Sequence, residues 1–211
     1  MKPKVPILLS FFITIFLQGC LMKLSKRDGK TWWYKKPISF SSTSPSLDTG
    51  QFHVQTFNYQ NFLQKVAYLN GKRIVEMIAP KNLVALSATD KTLYIYLYLP
   101  NCSATKPHIR RLDSLARKGM NILVISLSKS DGIEKLLKKT SFSQYPYYII
   151  NPQKSSLEPI LTEINFIREA CASCYEEYKD ELIDVDYLVL EKSMIRVVRY
   201  DAPKGQNILR D

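Results

Sequence analysis

The chain is poor in the residues on which most enzyme sites are built. Among its 211 residues are only seven glycines and two histidines, His53 and His108. It contains no glycine-rich phosphate loop, no Gly-x-Ser-x-Gly nucleophile turn and no His-Glu-x-x-His zinc motif. Because zinc sites are built from histidines or from two cysteine pairs, we predict no metal site and no cofactor. These absences exclude many catalytic designs and leave the four cysteines to be explained.

Acidic residues are also scarce relative to basic ones. The chain has 19 Asp and Glu against 30 Lys and Arg, which gives a net charge of +11 at pH 7. Such a surplus favours anionic lipid headgroups. We expect no nucleic-acid partner, because the basic residues are spread over several predicted helix faces and form neither a continuous stripe nor a known nucleic-acid motif. We therefore interpret most of this charge as a solvated basic surface.

The first twenty residues have the layout of an export signal. Lys2 and Lys4 give it a positive start, residues 5–16 are almost wholly apolar, and a small residue then precedes Cys20. The apolar run is shorter than the roughly 20 residues that a membrane-spanning helix needs, and basic residues follow it. The segment is therefore predicted to be a targeting element that takes no part in the fold.

The sequence Leu17-Gln18-Gly19-Cys20 resembles the cleavage site of bacterial lipoproteins. In that class the matching cysteine receives a diacylglycerol and the signal is cut before it. The resemblance implies that residues 1–19 are a signal peptide and that Cys20 is the first mature residue and the membrane anchor. The alternative is an ordinary signal peptide, or an uncleaved anchor, with a cysteine there by chance. An anchored chain would lie on the cell membrane or outer membrane and face the periplasm or the exterior, where disulfides are permitted.

The rest of the chain is predicted to consist of a tether and one domain. Residues 20–50, the lipidated N-terminus, are rich in Ser, Thr and Pro and have little to bury, so we interpret them as a flexible tether. Three adjacent aromatics at positions 32–34 could lie at the lipid interface or fold back onto the domain. Residues 51–211 are long enough for one domain, which we divide into an N-terminal extension, 51–90, and a core, 91–200.

A β-α-β-α series is the clearest pattern in the core. Residues 93–99 are apolar or aromatic on both faces, which is typical of a central strand in a covered sheet, and residues 122–127 form a second such run. Between the two runs, Ile109, Leu112 and Leu115 have the spacing of one helix face. We therefore expect parallel strands with right-handed crossovers.

From residue 92 to residue 200 this order of elements resembles the thioredoxin-like family, in particular its membrane-anchored extracytoplasmic members and its peroxiredoxin relatives. The resemblance implies an α/β, three-layer fold with a central mixed sheet, here with an inserted long helix. In that family the redox centre follows the central strand and opens the next helix, where backbone amides favour a thiolate. Cys102 occupies that place and is the residue that the resemblance implies to be catalytic.

The chain departs from the family pattern at the next step. A dithiol site needs Cys-x-x-Cys, and Thr105 stands where the second sulfur belongs. Without that sulfur, a mixed disulfide with a substrate has no local thiol to resolve it. The Thr of the peroxiredoxin pattern is missing too, since position 99 is Leu99. The copper-delivering pattern is broken by Lys106, because a soft Cu(I) site then lacks a sulfur ligand.

A second hallmark of the family is a cis proline that faces the active cysteine just before a strand. Pro146, directly before Tyr147, is one candidate. A second alignment places an inserted strand and helix before a final hairpin of residues 187–190 and 195–200, and Asp186 then stands at the proline position. We favour this second alignment because it uses all the elements and keeps the final antiparallel pair adjacent.

The remaining cysteines, Cys171 and Cys174, belong to an apolar stripe with helical spacing. The stripe runs from residue 157 to residue 182 and predicts one long helix with both cysteines on its buried face. We favour the interpretation that they are free and act as small hydrophobes. A disulfide comes next, and a resolving role toward Cys102 comes last.

Two functions follow from these observations. The favoured one is a lipid-anchored extracytoplasmic thioredoxin-like protein of the bacterial cell envelope, without dithiol chemistry, that binds membrane lipid through Cys20 and an unidentified envelope protein through its domain. The alternative keeps Cys102 as a single working thiol that reduces or captures a disulfide or a peroxide. An interaction module unrelated to thioredoxin is left open, because the order of elements in one sequence does not fix the topology.

Overall fold

The computed structural model describes residues 51–98, 105–127, 132–150, 159–178, 185–199, 202–203 and 205–209. Within these ranges the chain forms one eight-stranded sheet and six α-helices. The predicted α/β class with a central mixed sheet is confirmed. Cys20, Cys102, the predicted signal and the predicted tether lie outside the described residues, so the predictions for them are not tested.

Strands and helices alternate through most of the described chain. The strands are β1 (Phe52–Thr56), β2 (Tyr68–Leu69), β3 (Lys72–Ile78), β4 (Leu93–Tyr98), β5 (Ile122–Ser126), β6 (Tyr147–Ile150), β7 (Val185–Glu191) and β8 (Met194–Arg199). The helices are α1 (Tyr59–Leu63), α2 (Pro80–Ser87), α3 (Thr105–Arg117), α4 (Gly132–Leu137), α5 (Pro159–Ala170) and α6 (Ala172–Tyr178). A short 3₁₀ helix, Ser141–Gln144, precedes β6.

The sheet combines a parallel part with an antiparallel hairpin. Its order is β1-β3-β6-β5-β4-β7-β8, and β2 pairs with β3. The five neighbouring strands β1, β3, β6, β5 and β4 are parallel to one another. Strands β7 and β8 are antiparallel to their neighbours. The predicted parallel unit β4-α3-β5 and the predicted final hairpin are therefore confirmed. The hairpin turns at Lys192 and Ser193, with φ values of 50° and 62°, as a tight two-residue turn requires.

The sheet has two differently covered faces, which strand β4 shows most clearly. Leu93, Ile95 and Leu97 belong to the cluster under α1, α2, α5 and α6, which we call the α5 face. Tyr94, Tyr96 and Tyr98 belong to the cluster under α3, α4 and the C-terminal residues, which we call the α3 face. Side chains alternate between the faces along a strand, so one buried run supplies aliphatic residues to one layer and tyrosines to the other.

Pro146, the less favoured candidate for the family's cis proline, is not a cis proline. No peptide bond among the described residues is cis, so the bond before Pro146 is trans. Pro146 is buried and leads straight into β6, an inner strand that lies between β3 and β5. Its fixed φ suits the extended entry to that strand, and a trans bond is the ordinary state of the chain.

The prediction of one long helix across the two late cysteines is also wrong. Helix α5 ends at Ala170 and α6 begins at Ala172, so the apolar stripe is divided at Cys171. The stripe itself is preserved: Ile164, Ile167 and Cys174 all pack on the α5 face. Periodicity reports which side chains are buried, and two successive helices can share one buried face.

Buried Glu76 holds β3 to β1 and to the start of α1. Its side chain is 0% exposed. Its two oxygens accept hydrogen bonds from Gln55 Nε2 at 2.9 Å, from the Asn58 backbone N–H at 3.1 Å and from Asn61 Nδ2 at 2.6 Å. Burial raises the pKa of Glu76 above its ordinary value of 4.5, and the three hydrogen bonds offset only part of that rise.

This raised pKa predicts a pH-dependent stability. Because the native carboxyl holds its proton more tightly than the unfolded one, Glu76 lowers the free energy of unfolding as the pH rises from about 4.5 through the raised pKa. We expect Glu76→Gln to remove this contribution, so that the variant loses less stability than the wild type over that interval. Urea denaturation at a series of pH values checks it, with exposed Glu177→Gln as the matched control. Parallel stability profiles for wild type and Glu76→Gln would contradict the assignment.

Candidate functional site

The junction between β4 and α3 is the candidate site. Strand β4 ends at Tyr98 and α3 begins at Thr105. These bounds enclose position 102, where the resemblance places the redox cysteine. Residues 99–104 lie outside the described residues, so the site is defined here by the side chains that flank it.

Thr105, the position of the missing second sulfur, is the first residue of α3 and is only 3% exposed. Its side chain is hydrogen-bonded to the hydroxyl of Tyr96. The same hydroxyl lies 3.1 Å from Nδ1 of His108, and the two rings meet edge to face. We call these three residues the junction cluster. The place of the second thiol is therefore occupied by a buried hydroxyl that already has a hydrogen-bond partner.

The tyrosines of this site are not acid–base groups at physiological pH. Burial raises the pKa of Tyr96, the negative charge of Asp186 raises it further, and the hydrogen bond from Thr105 opposes both effects. Tyr98 stacks beside Tyr96 with ring centroids 6.3 Å apart, and burial raises its pKa as well. Both hydroxyls stay neutral, and that of Tyr96 serves as a hydrogen-bonding group. These phenols can position neighbouring groups, but they supply no base or nucleophile.

Asp186, which stands at the family's proline position in the favoured alignment, anchors the C-terminal residues. It is 8% exposed and accepts a hydrogen bond of 2.6 Å from Nδ2 of buried Asn207. Asn207 also donates to the Arg199 carbonyl at 3.0 Å and accepts from the Leu209 backbone N–H at 3.0 Å. The carboxylate of Asp186 is therefore hydrogen-bonded within a buried network on the α3 face.

A second set of hydrogen bonds fixes the same C-terminal residues over this face. The hydroxyl of Tyr187 donates to the Gln206 carbonyl at 3.2 Å and accepts from the Ile208 backbone N–H at 3.0 Å. Nε of Arg111, on α3, donates to the Ile208 carbonyl at 3.2 Å. Residues 205–209 therefore tie α3 to β7. Sequence reasoning did not assign them a role, because nothing in their local pattern shows which helix they meet.

Cys171 and Cys174 form a disulfide, so the favoured interpretation of two free thiols is wrong. The pair packs on the α5 face beside Ile195, whereas α3 packs on the α3 face. The sheet lies between this disulfide and the helix that starts at Thr105. This arrangement disfavours the third interpretation, in which one of the two cysteines resolves Cys102.

Clusters of metal-ligating side chains and membrane-spanning helices are absent from the part of the chain that the structure describes. No three His, Cys, Asp or Glu side chains gather there in a way that could hold a metal ion. None of the helices there is long and apolar enough to cross a membrane. Comparison of the chain with protein-family models, with curated proteins and with solved structures finds no match.

Proposed function

We propose that this chain is a lipid-anchored, thioredoxin-like protein of the bacterial cell envelope that lacks dithiol chemistry at the β4–α3 junction and acts by binding an envelope protein. One observation supports the loss of dithiol chemistry: Thr105 is 3% exposed and hydrogen-bonded to Tyr96. A mixed disulfide between Cys102 and a substrate would need a second thiol to resolve it, and a buried hydroxyl stands at the position of that thiol.

Support for the thioredoxin-like fold comes from the order of the elements. The parallel unit β4-α3-β5 is followed by the inserted strand β6 and then by the antiparallel pair β7-β8, which lies next to β4. The resemblance requires such a β-α-β unit with a final hairpin beside its central strand. The resemblance covers only the core, and strands β1, β2 and β3 extend the sheet beyond it.

Support for a binding role comes from the groups that surround the junction. Tyr96, Thr105 and His108 are engaged with one another, and the carboxylate of Asp186 is engaged by Asn207, so these side chains fix the shape of the junction against which a partner would bind. Membrane attachment is supported by the signal sequence that ends at Cys20, which would set the domain at a lipid surface on a tether.

A second candidate function is single-thiol chemistry at Cys102. One observation favours it: position 102 lies three residues before the start of α3, a helix of 13 residues. The first amides of a helix have no partners within the helix and stabilise a nearby thiolate. Such a thiol could reduce or capture a disulfide or a peroxide.

Restoring the missing sulfur tests the proposed fold and the proposed loss together. We expect Thr105→Cys to form a disulfide with Cys102 and to gain reduction of a model protein disulfide, because the new thiol completes Cys-x-x-Cys at the start of α3. Trypsin should release both cysteines in the peptide 92–110, lighter by two hydrogen atoms in the oxidised variant. Activity is counted as the difference from the parent, which has the same Cys171–Cys174 pair.

The matched control is Thr105→Ser, which keeps the hydroxyl and should behave like the parent. A folded Thr105→Cys variant whose two thiols neither pair nor react would contradict the thioredoxin-like placement of the junction. Circular dichroism and the unfolding midpoint of the variant establish that it is folded before the activity is compared.

A further inference from the structure

We propose that the Cys171–Cys174 disulfide is a redox-active centre that exchanges with external dithiols through Cys171. This site is separate from the β4–α3 junction and does not depend on the function proposed for it. The two cysteines are three residues apart in the sequence. A disulfide across so short a loop constrains the unfolded chain little, so stapling the domain is a weak explanation for it.

The two sulfurs differ in access. Cys174 is 5% exposed and belongs to the core cluster of the α5 face. Cys171 is partly exposed, and the residues between the two, Ala172 and Ser173, are exposed. An approaching thiolate can therefore reach the disulfide from the side of Cys171. A structural disulfide is more often closed to solvent on both sides, whereas exchange requires access to one sulfur.

Hydrogen bonds prepare Cys171 to carry negative charge after reduction. The backbone N–H of Cys174 donates to Sγ of Cys171 at 3.1 Å. The hydroxyl of Ser173 lies 3.4 Å from the same sulfur. Donors placed around a sulfur stabilise the thiolate, which is the form that attacks a disulfide. Cys171 is accordingly the nucleophile of the reduced pair.

The surroundings of Cys174 favour the protonated thiol instead. Its Sγ lies 3.1 Å from the backbone carbonyl oxygen of Ile195 on β8, whereas Sγ of Cys171 lies 3.8 Å from the same oxygen. In the disulfide the sulfur of Cys174 has no proton and the approach is a contact only. In the reduced pair the S–H can donate to that oxygen, which stabilises the neutral form in a buried place. Once the bond to Cys171 is broken, Cys174 is therefore held as a neutral thiol, and it is the sulfur that closes the disulfide again on oxidation.

The exchange consists of two balanced steps. One thiolate of an external dithiol attacks Sγ of Cys171, the Cys171–Cys174 bond breaks, and a mixed disulfide forms while the Cys174 thiolate leaves and takes up a proton. The second thiolate of the reductant then attacks the reductant's first sulfur, which is bonded to Cys171 in the mixed disulfide, and Cys171 is released as a thiolate. Two electrons pass to the protein, and the external dithiol becomes a disulfide.

The test is reduction of the folded, full-length chain by dithiothreitol at neutral pH. Acid quenching, alkylation and trypsin digestion report the state of both cysteines in the peptide 169–179, apart from Cys102, which lies in the peptide 92–110. We expect the pair to be reduced at a rate proportional to the reductant and faster than the chain unfolds. Reduction that is independent of the reductant and equal in rate to unfolding would overturn the proposal.

Variants that keep only one cysteine of this pair test the assigned roles. With Cys174→Ser, the remaining Cys171 should react with a small disulfide reagent at least about tenfold faster than Cys174 does in Cys171→Ser. Ser173→Ala should slow the reaction of Cys171, because one donor to its sulfur is lost. Equal rates for Cys171 and Cys174 in these two variants would overturn the asymmetry between the sulfurs, and the wild-type reduction rate would still decide whether the disulfide exchanges.

Discussion

Replacing Cys20 with serine is expected to move nearly all of the chain from the membrane fraction to the soluble fraction. In the proposed mature protein, the diacylglycerol on Cys20 is the main attachment, and each methylene buried in the bilayer adds about 0.8 kcal/mol. Without it, only the basic surface holds the chain to anionic headgroups, and salt screens that attraction. Fractionation after a high-salt wash measures the change.

Incorporation of radiolabelled palmitate gives an independent measurement. The parent should carry the label, and Cys20→Ser should lose it. Cys102→Ser is the matched control, since it also removes one sulfur but should keep the label. A labelled Cys20→Ser variant, or one that stays with the membrane after the salt wash, would contradict the assignment of Cys20 as the anchor and favour an uncleaved N-terminal segment.

Arg73→Met is expected to lower the free energy of unfolding by roughly 3–5 kcal/mol, as the loss of two charged hydrogen bonds and a cation–π contact predicts. Arg73, on β3, is 6% exposed. Its two terminal nitrogens donate to the carbonyls of Ser143 and Tyr145, each at 2.6 Å. Its guanidinium lies 3.9 Å from the ring centroid of Tyr147. The side chain therefore joins the N-terminal strands to the turn that precedes β6.

The matched control for this prediction is Arg73→Lys. Lysine keeps the charge but cannot donate to both carbonyls with a planar fork, so its stability should lie between those of the wild type and Arg73→Met. Urea denaturation with a two-state analysis measures all three proteins. An Arg73→Met variant within about 1 kcal/mol of the wild type would show that the two carbonyls find water or other donors.

The core of the fold could be predicted because its signals are local. The run at 93–99 and the helix face of Ile109 and Leu112 each report their own burial, and the tight turn of the final hairpin lies between two strand patterns. Parallel pairing of β4 with β5 then follows from the helical crossover that joins them. The same reasoning identified the end of β4 as the place to look for chemistry.

The junction cluster and the buried charges could not be predicted, because they depend on contacts between distant parts of the chain. Tyr96 was interpreted as part of an apolar run. Only the tertiary structure brings its hydroxyl to His108 and places the charge of Asp186 near it. Arg73 contacts carbonyls 70 and 72 residues away. A charged residue in a strand pattern gives no sign of such a partner.

The break at Cys171 escaped prediction for a different reason. The apolar stripe is continuous across it, and the helical hydrogen bonds from Cys171 N–H to Ile167 and from Tyr175 N–H to Cys171 bracket the division. Hydrophobic periodicity is insensitive to so small a change of direction. The disulfide was among the interpretations that the cysteine spacing left open, and only the geometry of the chain selects it.

Partner capture with and without the sulfur of Cys102 tests most directly whether this protein acts by binding. Parent and Cys102→Ser are treated with an amine-reactive cross-linker on intact cells, and the captured envelope proteins are compared on gels with and without reductant. Binding predicts the same partners in both, in complexes that resist the reductant. Partners that appear only with Cys102 and are released by the reductant would contradict the account and establish single-thiol chemistry in its place.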